Sequence, residues 1–162
     1  MPKREQIKKK DRKSRGVTAG EGGLVRGSDG GLLRAFCAPV AASSSFEAEL
    51  LALIQGLAMT MELSTHIWIE LNSAALVSLL SSGHLGAADF RHHMALIRSM
   101  TSQRHVRFSH IYRERNRAGR YGVQTPAFTY FDPISAPQYL KVLVRMDQLG
   151  YPNFRYRHRD VD

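Results

Sequence analysis

The 162 residues carry 43% hydrophobic side chains, enough for one domain with a proper core but not for two. A formal charge of +9 and a pI near 10.1 exclude an acidic surface and point to an acidic partner such as nucleic acid. One cysteine, Cys37, leaves no intrachain disulfide and no cysteine-based zinc site, and no run of about 18 apolar residues offers a membrane span.

The positive charge begins as an arm. Met1 to Arg15 holds eight Lys/Arg against Glu5 and Asp11, with Lys8, Lys9, Lys10, Arg12, Lys13 and Arg15 as candidate phosphate contacts. It lacks the apolar stretch of a secretory signal and suits an RNA-binding arm or a nuclear signal. Gly27-Ser-Asp-Gly-Gly31, lying between Gly23–Arg26 and Leu32–Ala38, then predicts a hairpin, because glycine and aspartate accept the backbone angles of a tight turn. Ser44 and Glu47 have capping-box spacing, and Leu50, Leu53, Ile54, Leu57 and Met61 follow helical periodicity after them.

His66 to Leu71 is a β-branched and aromatic run, predicting a largely buried strand with Trp68 in the core. Helical spacing resumes through Ala74, Val77 and Leu80, and again from about Asp89 to Thr101. There the adjacent His92 and His93 diverge by about 100°, cannot share one metal, and read as surface or boundary residues. His105 to Tyr112 alternates as a further strand. Hairpin, helix, strand, helix, helix, strand is the order of an α/β domain with helices on a mixed sheet. Three prolines from Thr125 to Pro137 predict an extension that drapes over something, not a core element. An amphipathic helix from Gln138 to Leu149 is predicted next, followed by an aromatic, arginine-rich tail.

Four segments in order resemble the plant ribonuclease H-like domains related to retroelement reverse transcriptases. They are Glu21–Arg26, Ser45–Leu53, Ile69–Ser73 and Ser109–Asn116, within a resemblance covering Ile7 to Tyr121. The resemblance implies a ribonuclease H-like mixed sheet flanked by helices over residues 17–121. It makes residues 1–16 a basic arm with a vestigial first strand and leaves 122–162 as an extension. It also implies four carboxylates that hold two magnesium ions for phosphodiester cleavage, since magnesium demands anionic oxygen ligands. Carried over by position, those carboxylates fall on Asp11, Glu49, Asn72 and Arg120. Asparagine gives up the charge, and a guanidinium repels divalent cations. The expectation is therefore a domain without catalytic residues, metal or cofactor. Glu70, two residues before Asn72, is a conceivable substitute ligand, and magnesium-dependent cleavage of RNA–DNA hybrids is the alternative.

Six arginines fall within 17 residues: Arg104, Arg107, Arg113, Arg115, Arg117 and Arg120, opposed only by Glu114. Guanidinium groups pair bidentately with phosphate, so this stretch reads as a phosphate-contacting face against the plainer reading of a solvated edge. Arg155 and Arg157, interleaved with Phe154 and Tyr156, extend the same pattern. Together the residues suggest a structural RNA-binding component of a large ribonucleoprotein, held against rRNA and neighbouring proteins. The plant resemblance makes an organellar ribosome the expected setting, mitochondrial before plastid or nuclear. A protein-interaction module without RNA contact is the third reading.

Overall fold

Val17–Arg26 (β1) and Leu32–Ala42 (β2) pair antiparallel in one long hairpin, in a computed structural model that describes residues 17–112 and 127–150. The ladder reaches back to Val17, beyond the predicted start. Its turn closes through Gly30 N–H donating to the Gly27 carbonyl and Gly27 N–H donating to the Gly31 carbonyl, both at 2.9 Å. Gly30 has φ +78°, a conformation that costs a glycine little. Within the ladder Gly23 lies opposite Phe36, where a Cβ would stand 2.6 Å from the ring.

Ser45–Thr60 (α1) starts at the predicted cap: Ser44 Oγ accepts from Glu47 N–H at 3.1 Å. The reciprocal half of the box is shifted by one residue. Glu47 Oε2 accepts from both the backbone N–H and the hydroxyl of Ser43, each at 2.6 Å. His66–Leu71 (β3) pairs in parallel with His105–His110 (β4). Between them come Ala74–Ser82 (α2), a 3-10 turn at Ala88–Phe90 and Arg91–Thr101 (α3). Leu50, Leu57, Leu76, Met94 and Ile97 from the three helices are essentially inaccessible and form one cluster, onto which Ile69 and Leu71 of β3 and Phe108 of β4 pack. Burying each such side chain contributes about 1.5–3 kcal/mol. Because α1 also lies against β1 and β2, it is the element common to both pairs of strands.

The C-terminal segment corrects an expectation. Thr129–Phe131 (β5) adds a third, antiparallel strand to β2, and Gln138–Gln148 (α4) buries Leu140, Leu143 and Val144 against Ala35, with Leu24, Leu32 and Phe131 beside them. These residues are core, not drapery: the prolines stop the ladder after three residues without preventing it. Arg34, next to Ala35 and so on the opposite face of β2, donates to the Met59 carbonyl of α1 at 3.0 Å. Helices therefore cover β2 on both faces, which is why Ala35, Phe36, Cys37 and Ala38 are all buried in succession. The α/β class with helices flanking parallel and antiparallel strands is thus the observed one. Among the described residues no helix is long and apolar enough to cross a membrane.

Candidate nucleic-acid interface

β3 alternates strictly, and β4 alternates as far as Phe108. Ile67, Ile69 and Leu71 are partly buried, Ile69 and Leu71 against the helical core, whereas His66, Trp68 and Glu70 are exposed. In the parallel register His66 pairs with His105, Trp68 with Arg107 and Glu70 with Ser109, so three rungs of polar and aromatic side chains line the open face. The expectation of a largely buried strand with Trp68 in the core is corrected here: Trp68 is 61% exposed. Among the described residues helices pack on this pair from one face, and α4 is spent on β1, β2 and β5.

Neighbours hold the tryptophan in place. Its Nε1–H donates to Ser109 Oγ at 2.7 Å, and the Arg107 guanidinium carbon stands 4.9 Å from the ring centroid, within cation–π range. One rung away the rings of His66 and His105 stack with centroids 4.6 Å apart and planes inclined by 23°. These residues, with Ile67, Val106 and Arg104, line a shallow open depression. Histidine stacking across the strands has no signature in linear spacing, whereas the alternation His-Ile-Trp-Ile-Glu-Leu did carry the exposed face of β3.

Glu70 closes the row. Its carboxylate pairs with Arg26 at 3.6 Å, and Arg26 also reaches Asp147 of α4 at 3.4 Å, so one guanidinium joins β1, β3 and α4. Glu70 stands on the face of β3 opposite Ile69 and Leu71, which pack on the helical core. Arg104, taken from sequence as a phosphate contact, is engaged with the fold instead. It donates to the Met100 carbonyl at 3.2 Å and the Met61 carbonyl at 3.1 Å, tying the ends of α3 and α1 together. Arg107 is the exposed member of the arginine group within the described residues.

Of the four positions that the resemblance assigns to metal binding, two are described. Glu49 lies in the second turn of α1, and Asn72 follows β3 immediately before the α2 cap, Ser73. Together they supply one carboxylate and one neutral carboxamide. Asp11 and Arg120 lie outside the described residues, as do Lys8, Lys9, Lys10, Arg12, Lys13, Arg15, Arg113, Arg115, Arg117, Arg155 and Arg157. Among the described residues no group of three His, Cys, Asp or Glu side chains could hold a metal ion.

Glu21 and His93 are among the groups with shifted titrations. Burial pushes the Glu21 carboxyl on β1 up to about 7. On α3, burial lowers His93, the charge of His92 lowers it further, and Glu47 opposes both. His93 is buried, not the surface or boundary residue its spacing suggested, and its ring lies 3.7 Å from that of His92 despite their divergence along the helix.

A family model described as reverse transcriptase-like matches residues 11–124, which include Glu49, Asn72, Trp68 and Arg107. No curated protein and no solved structure matches the chain.

Proposed function

The chain belongs to the reverse transcriptase-like family, whose domains are ribonuclease H-like, and from that premise we propose that it binds RNA without cleaving it. It serves as a structural component of a large ribonucleoprotein, an organellar and specifically mitochondrial ribosome, where rRNA and neighbouring proteins surround it. The observation that carries this reading is Asn72, a carboxamide at a position where the family's chemistry needs a carboxylate. Of the four positions only Asp11 and Glu49 remain carboxylates, and two carboxylates with one carboxamide do not fit two magnesium ions, which require several anionic oxygens held in near-octahedral geometry. Arg120 removes a further ligand and brings in a like charge.

Binding is supported by where the cations stand. The N-terminal arm, the Arg107–Arg120 stretch and the tail are separate basic segments, a pattern suited to several phosphate contacts. Neighbouring proteins are supported by the apolar surface of the C-terminal segment, where Ile134 is 88% exposed and Tyr139 and Val142 share one side of α4. The test is incubation of the full chain with an RNA–DNA hybrid and magnesium, beside a binding titration with RNA. Intact hybrid together with salt-sensitive RNA binding is the expected result. Cleavage that disappears in Glu49→Ala overturns the loss of catalysis, and RNA binding that is absent or indifferent to salt overturns the partner.

A further inference from the structure

Trp68 is the only tryptophan in the chain, and it stands on the solvent side of a strand whose other side already fills the core. A large aromatic left mostly exposed gains little for folding, and its orientation is nevertheless fixed from two directions. Ser109 holds the indole N–H at 2.7 Å, and Arg107 covers the ring at 4.9 Å. A side chain immobilised before a ligand arrives loses little rotamer freedom on binding.

We infer that the Trp68–Arg107 rung is a stacking platform for an unpaired base of single-stranded RNA, with the His66–His105 pair as the adjoining rung. This rests on the RNA-binding reading above and deepens it by naming the surface and the form of RNA. Chemistry favours this occupant over a protein. Ile69 and Leu71 turn onto the helical core, and the depression is edged by two aliphatic residues, Ile67 and Val106, among histidine, arginine and tryptophan, so a partner protein would find little apolar area. The open face offers instead an indole ring, an arginine whose N–H edges can reach phosphate, and stacked imidazoles, the residue types that take up unpaired bases. The carboxylate on this face, Glu70, shares Arg26 with Asp147, which offsets part of its repulsion of a phosphate backbone. Successive rungs on one face lie about 6.6 Å apart along the strands, so consecutive bases must be splayed to use both. A paired helix keeps its bases stacked on each other and offers them to no such surface.

Because Trp68 is the sole tryptophan, its emission reports on this site alone. The full chain is titrated with a short unpaired RNA oligonucleotide, and separately with the same sequence annealed to its complement. The expected result is quenching of Trp68 emission by the single strand and much less by the duplex. Trp68→Ala should weaken single-strand affinity roughly 5- to 150-fold, the loss of one stacked base, with the salt dependence unchanged because stacking releases no counterions. Trp68→Phe keeps a ring and should recover part of the affinity. Arg107→Gln should lower the salt slope by about 0.7, one single-strand phosphate contact. Unaltered far-ultraviolet circular dichroism establishes that each exposed-site variant is folded. Salt-sensitive RNA binding without quenching, with equal response to duplex, or with full affinity in Trp68→Ala overturns the platform and leaves the RNA-binding reading standing. Absence of RNA binding to the wild-type chain overturns both.

Discussion

Glu21 and His93 impose opposite pH dependences on the same fold. One oxygen of the Glu21 carboxyl is buried without a hydrogen-bond partner among the described residues, and burial raises its pKa from 4.5 to about 7. The folded chain then binds a proton that the unfolded chain releases, so this group's contribution is complete below about 4.5 and is lost as pH rises through 7. His93 is lowered from 6.5 by burial first and by His92 second, so its contribution is complete above about 6.5 and declines as pH falls through the folded value. Glu21→Gln removes the first dependence. It should stabilise the chain by on the order of 1 kcal/mol at pH 8, the full linkage being discounted because the group is only half-buried, and leave stability unchanged near pH 4. Urea unfolding of both proteins at the two pH values checks this; equal midpoints at pH 8 would show that the wild-type carboxylate carries no penalty.

At the scale of single elements, the start of α1 was legible because capping is local. Ser44 bonds the amide three residues on, so spacing alone located it. Ser44→Ala should cost about 1 kcal/mol and lower the urea midpoint without altering the slope. Combined with Glu47→Ala, whose wild-type carboxylate bonds Ser43, the losses should be less than additive, since both act on one helix start. The strand β5 was not legible, because three residues between prolines carry no period and pair only once β2 is in place. Trp68 failed for a related reason. Alternation in β3 distinguishes two faces, but whether the second face is covered depends on where α4 docks, and α4 lies some seventy residues later in the chain. Of the candidate site, Glu49 and Asn72 could be read from motif position, whereas the stacked histidines and the aromatic rung exist only through the register that pairs β3 with β4.

For the whole molecule, the decisive quantity is how charge is shared between the basic arm and the folded surface. Within the described residues many cations are already committed: Arg26 to Glu70 and Asp147, Arg34 to Glu62 and the Met59 carbonyl, and Arg104 to two carbonyls. A chain of +9 whose first 15 residues contribute six of those charges should therefore owe most of its salt-sensitive affinity to the arm. Replacing Lys8, Lys9, Lys10, Arg12, Lys13 and Arg15 with glutamine in the full chain should reduce the slope of log affinity against log salt by about 4 on single-stranded RNA, the value for six phosphate contacts. Quenching of Trp68 at saturating RNA should persist, because base stacking on the sheet does not depend on those charges. A slope that hardly changes would transfer the electrostatic anchor to the arginines between Arg107 and Arg120. Quenching lost along with the slope would mean that the arm, not the sheet, delivers the strand to Trp68.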